Sequence, residues 1–118
     1  MVDQSKAWFR RAGFALLKGF NWTFLLSNTH IIIGRKPQAS SSQWLVDLDL
    51  GPSKYIARQH ALIIYNFSAG HFEIRCLTQK GRIKVNGKMY KFQDGAIPLK
   101  HKSVVSIHKT SFLFILPN

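Results

Sequence analysis

Apolar and polar residues alternate with a period of two along most of this chain, which is the pattern of strands with one face in a core. Phe72, Ile74 and Cys76 alternate with Glu73 and Arg75, and Val46, Leu48 and Leu50 alternate with Asp47 and Asp49. Ile83 and Val85 continue the alternation up to Asn86-Gly87, followed by Lys88-Met89-Tyr90. An Asn-Gly pair between two such runs predicts a tight hairpin, because both residues tolerate the positive φ of a type I′ turn. Ile31, Ile32 and Ile33 form a short β-branched run ending at Gly34, which predicts a strand buried on both faces. Further strands are predicted over Ala12 to Phe20, Trp22 to Leu26, Ala61–Asn66, His71–Leu77, Ile97–Leu99, Ser103–Ile107 and Thr110–Leu116. Short strands at this spacing, with almost no helical periodicity, predict an all-β sandwich.

The segments between strands carry the candidate chemistry. Gly51-Pro52-Ser53 ends the Val46–Leu50 strand and opens a loop bearing Lys54, Arg58 and His60. Cationic side chains on a loop held between two strands form a plausible anion-recognition element on a rigid scaffold. Gln38 to Gln43 is a Ser-rich loop with no assignable chemistry. The start, MVDQSKAWFRR, is polar, then aromatic, then basic, and Ser5 could cap a short helix there. An Arg-rich targeting segment is one reading of it, but Gly13 and Gly19 interrupt the helical pattern. From Ala12 onward the chain reads better as strands.

Length and charge then bound the function. The 118 residues suffice for one domain with its own core, taken as 1–118, and hydrophobic content of 46% is that of a globular protein. Cys76 is the single cysteine, so no internal disulfide forms, which suits a reducing intracellular compartment. No apolar run approaches the roughly 20 residues of a membrane span, so no membrane partner is expected. Seventeen Lys and Arg against five acids give a net charge of +12. That balance favours polyanionic partners: nucleic acid, acidic or phosphorylated protein, or an anionic membrane surface. A basic surface kept only for solubility fits it too.

Catalytic and metal-binding constellations are absent from the sequence. His30, His60, His71, His101 and His108 show no metal-ligand spacing, and nothing resembles a P-loop or a dinucleotide fingerprint. Asp47 and Asp49 are two apart on a strand and read as its solvated polar face. Cys76 alternates with core residues and reads as a packed thiol. No enzyme, cofactor or metal is expected.

Gly34-Arg35, then Ile56-Ala57-Arg58-Gln59-His60, then Asn86-Gly87, with Ala12–Gly19 and Trp22-Thr23 as the opening, resembles the spaced signature of the forkhead-associated (FHA) domain. The likeness is to the FHA domains of forkhead-type transcription factors and covers about residues 12–117. It implies a sandwich of two β-sheets with about eleven strands, ligand loops at one end, and binding of phosphothreonine peptides. By this resemblance Arg35 would contact the phosphate with Arg58 beside it, while Gly34, His60, Asn86 and Gly87 would shape the binding loops. A guanidinium fork suits a phosphate ester.

Two positions depart from the family pattern. The serine whose hydroxyl reaches the phosphate is Ala57 here, and Gln79-Lys80-Gly81-Arg82 stands where an asparagine usually holds the peptide backbone. Lys80 or Arg82 would supply a compensating cation, and Thr78 a hydroxyl. The resemblance therefore implies a nuclear module for a phosphorylated threonine segment, with a transcription cofactor as one candidate partner. A phosphate-independent interaction platform and, more weakly, direct nucleic acid binding remain as alternatives.

Overall fold

The computed structural model of the chain describes residues 15–36 and 46–117. The Ser5 helix, the stretch from Ala12 to Phe14 and the Ser-rich loop fall outside them. The described strands are β1 (Ala15–Gly19), β2 (Thr23–Leu26), β3 (His30–Gly34), β4 (Leu48–Asp49), β5 (Ala61–Asn66), β6 (His71–Cys76), β7 (Ile83–Val85), β8 (Lys88–Tyr90), β9 (Ile97–Pro98), β10 (Ser103–Ile107) and β11 (Thr110–Ile115). They form a six-stranded sheet in the order β2-β1-β11-β10-β7-β8 and a five-stranded sheet in the order β4-β3-β5-β6-β9. The predicted all-β sandwich of two sheets is the architecture observed. Between β8 and β9 lies one 3₁₀ turn, Phe92–Asp94, which the strand pattern did not indicate.

Period-two alternation turns one row of each strand inward. Leu17, Ile31, Ile33, Ile63, Ile74, Ile83, Val105, Ile107 and Phe114 are buried in one continuous core. Phe72 meets Phe114 edge-on at 5.6 Å, joining the two sheets. Such a pair is worth about 0.5–1.5 kcal/mol beyond its buried area.

Three expectations need correction. β3 is not buried on both faces: Ile31 and Ile33 point inward, but Ile32 is only half-buried. This sheet has core on one side only, so its strands keep an outer row. The Val46–Leu50 strand shrinks to Leu48–Asp49, which pairs in parallel with the end of β3 at Ile33 and Gly34. Nor is the Asp47 and Asp49 face merely solvated. Asp47 Oδ2 accepts a hydrogen bond from the Ile32 amide at 2.7 Å. Asp49 Oδ1 accepts from the amides of Lys36 at 3.2 Å and Gly51 at 3.0 Å. An edge strand of two residues leaves neighbouring amides without a ladder partner, and the carboxylates take that role.

The β7–β8 hairpin turns through Asn86 at φ 52° and Gly87 at φ 86°, both in the left-handed region. Asn86 Oδ1 also accepts from the Val104 amide at 2.8 Å, tying the turn to β10. Replacing both residues by alanine should therefore lower stability by about 2–4 kcal/mol, since each left-handed L-residue costs roughly 1–2. Calorimetry would show this as a lower thermal midpoint. An unchanged midpoint would mean that the turn stores no such strain.

The site is positioned by strand ends. Ile33, at the end of β3, pairs with Ala61, at the start of β5, and Ala61 pairs with Cys76, at the end of β6. The segments 34–36, 50–60 and 77–82 therefore meet at one end of the sandwich. The β10–β11 turn joins them there, where His108 stacks on Tyr55 at 4.9 Å.

Candidate functional site

Gly34 sets the closest approach in this cluster. A Cβ built on it would lie 2.1 Å from the Arg58 carbonyl oxygen and 2.8 Å from that of Ala57. Only glycine lets the 56–58 loop rest directly on the end of β3. That contact organises Arg35: its amide donates to the Ala57 carbonyl at 3.0 Å, and its Nε donates to the Ile56 carbonyl at 2.9 Å. With Nε so held, the two Nη groups carry the donors that remain for an anion. The loop itself is braced by buried Ile56, whose amide donates to the Ser53 carbonyl at 3.1 Å.

His60 is the hub beneath these loops and is buried, with 2% of its surface exposed. Its amide donates to the Ile33 carbonyl and its carbonyl accepts from the Leu77 amide, both at 2.9 Å. Nδ1 accepts from the Ala57 amide at 3.0 Å. The ring hydrogen is therefore on Nε2, which donates to the Arg82 carbonyl at 2.9 Å. One imidazole thus fixes the 57 loop relative to the 77–82 loop. Burial pushes its pKa below the ordinary histidine value, partly offset by the bond to Arg82.

The 77–82 loop is held from two further directions. The Cys76 thiol donates to the Thr78 carbonyl at 3.3 Å, and burial pushes its pKa up, as for an inert packed thiol. Gly81 lies flat against His60, since a Cβ there would sit 2.8 Å from imidazole Cε1.

Gly34, Arg35, Ala57, Arg58, His60, Thr78, Lys80 and Arg82 thus belong to loops and a strand end gathered at one end. Arg35 is half-buried, while Arg58, Lys80 and Arg82 are exposed. Asn86 and Gly87 are not brought to this end. β7 leads away from Arg82, so the pair sits at the other end and shapes the β7–β8 hairpin rather than the loops. Sequence reasoning missed Gly81, the two aspartates as loop anchors, and the stack of Tyr55 on His108. The scarcity of acids was the one available signal. In a chain with five, Asp47, Asp49 and Asp94 all bind backbone amides. Chemically, this end offers guanidinium and ammonium donors on braced backbone, which is a seat for an anion.

The FHA domain family matches residues 31–108 of this chain. The chain belongs to that family. The pre-rRNA-processing protein FHL1 of Saccharomyces cerevisiae is 36% identical to this FHA domain over 104 residues, 88% of this chain and 11% of the relative. The fork-head transcriptional regulator FHL1 of Candida albicans is 33% identical over 109 residues, 92% of this chain and 9% of the relative. The chain thus spans about a tenth of these relatives. Among solved structures, the MEK1 FHA domain in complex with a phosphothreonine peptide of HOP1 superposes with a TM-score of 0.66. It is 19% identical, and the match covers 88% of this chain and 97% of that one, a likeness of fold.

Proposed function

We propose that this FHA domain binds a phosphothreonine-containing protein segment at the loop end built on Gly34, Arg35 and the 56–58 loop. The observation that carries the reading is the fixing of Arg35 through its Nε, which pre-orients the guanidinium without consuming its Nη donors. Pre-orientation lowers the entropic cost of ordering a long side chain on a ligand. Arg58 lies on the adjoining loop, and Lys80 and Arg82 add positive charge across the His60 bridge. Thr78 stands on the same loop as Lys80. Ala57 offers a methyl where a hydroxyl would serve, so cations carry more of the phosphate recognition here. The names of the relatives favour a nuclear, transcription-related setting, and the phosphorylated partner we propose there is a transcription cofactor.

Isothermal titration with a phosphothreonine peptide and its unphosphorylated twin tests this. Arg35→Ala should weaken phosphopeptide binding about ten- to a hundred-fold, from the roughly 1.5–3 kcal/mol of a charge-assisted bond. The unphosphorylated peptide should bind equally weakly to both proteins. Ala57 and the missing asparagine favour a second reading, a phosphate-independent interaction platform. Equal affinity of the parent protein for both peptides, unchanged in a folded Arg35→Ala protein, would establish that reading instead.

A further inference from the structure

A groove of about 600 Å³ runs from His60 onto the outer face of the six-stranded sheet. The strand registers explain its floor. Met89 pairs with Lys84, Lys84 with Ser106, and Ser106 with Ser111, giving one row across β8, β7, β10 and β11. The hydroxyls of Ser106 and Ser111 lie 2.8 Å apart. One of them donates to the other, so the second keeps its hydrogen for a ligand. Lys80 and Arg82 line the groove nearer the loops, and Tyr55 and Met89, both exposed, add apolar surface. Among the described residues no acid lines it.

This concavity has the chemistry of a carboxylate seat in an extended peptide. Cations and a hydroxyl donor match Asp and Glu head groups, while Tyr55 and Met89 match the methylenes that carry them. It is continuous with the phosphate loops through His60, whose two ring nitrogens hold Ala57 on one side and Arg82 on the other. A peptide anchored by its phosphate on the loops would therefore lay a flanking segment along the row. Three cations beside the apolar surface of Tyr55 and Met89 favour a short acidic peptide segment, and nucleic acid is an outcome of the test below.

We propose that Lys84, with the Ser106 and Ser111 hydroxyls, selects partners whose phosphothreonine is flanked by acidic residues. This rests on the phosphopeptide reading above and assigns the groove as its specificity-determining extension. Lys84 is exposed on β7, so its replacement should not disturb folding.

The test uses phosphothreonine peptides with Asp and Glu on one flank, on the other flank, or replaced by Asn and Gln, each with an unphosphorylated twin. Affinities are measured by titration at one ionic strength for the protein, Lys84→Ala and the Ser106→Ala, Ser111→Ala double variant. One acidic flank should raise affinity about tenfold over the neutral phosphopeptide, the scale of a charge-assisted contact. Lys84→Ala should remove most of that gain, the double variant about half, and both should leave the neutral phosphopeptide within about twofold of its original affinity. Equal affinity for acidic and neutral flanks, with phosphate dependence kept, would overturn the groove and spare the phosphate site. Acidic peptides that bind alike with and without phosphate, but lose affinity in Lys84→Ala, would keep the groove and overturn the phosphate site. A DNA duplex that binds more tightly than every peptide and loses affinity in Lys84→Ala would overturn the peptide assignment.

Discussion

Gly34→Ala should cost this FHA domain both stability and phosphopeptide binding. The new methyl would lie 2.1 Å from the Arg58 carbonyl oxygen and 2.7 Å from its carbon, and both are backbone atoms that no rotamer change can move. Relief requires the 56–58 loop to lift from the end of β3. That shift breaks the bonds from Arg35 to the Ala57 and Ile56 carbonyls and releases the guanidinium. Overpacking a tight contact costs about 1–3 kcal/mol, and the lost bonds add roughly 1 each. A loss of about 3–5 kcal/mol would lower the melting temperature by more than 10 °C at roughly 4 °C per kcal/mol. Phosphopeptide affinity should fall at least as far as in Arg35→Ala, whereas Arg35→Ala itself should melt within a few degrees of the parent protein. Differential scanning calorimetry beside titration separates the two. A Gly34→Ala protein with parental melting and affinity would show that the loop does not rest on this glycine.

The second large effect is expected at His60. Truncation to alanine empties a buried ring and leaves the Ala57 amide and the Arg82 carbonyl without their partners. Each of the two unpaired groups is partly buried and costs about 1 kcal/mol, and the emptied ring adds about 1–3, so the sum is about 3–5 kcal/mol. The same residue gives a pH dependence. Its folded pKa is lowered, so the native state favours the neutral ring more than the unfolded chain does. Its contribution is therefore present above the ordinary histidine value of about 6.5 and is lost as pH falls from there toward the lowered folded value. Glu73 is also held below its usual range, first by its hydrogen bond from His71, but its contribution is lost only on acidification through the carboxylate range. Melting measured from pH 7.5 to 5 should fall more steeply for the parent protein than for His60→Ala. Parallel curves would remove His60 as the source.

Some of this molecule was legible before any fold was known. The inward rows of β6 and β7 follow from Phe72, Ile74, Cys76, Ile83 and Val85, and the hairpin follows from Asn86-Gly87. Lys54, Arg58 and His60 stood out on one loop with the chemistry of an anion site, and the family resemblance added Arg35. Lys84, Ser106 and Ser111 did not, because each merely occupies an outward position of its own strand. Strand registers alone place them in one row.

What the sequence determined by itself is what neighbours in the chain dictate: period-two faces, turns that require positive φ, and a surplus of positive charge. These signals are local, since a side chain's face depends on its parity and a turn on the two residues within it. What only the tertiary structure decided are contacts between side chain and backbone across long separations. The bonds from Ile32 to Asp47, Arg35 to Ile56, and His60 to Arg82 span 15, 21 and 22 residues. Neither partner in such a bond carries a pattern that announces the other, because a peptide amide or carbonyl is the same group at every position. The length of β4, the orientation of Arg35 and the bracing by His60 therefore became fixed only when the two sheets closed and brought those strand ends together.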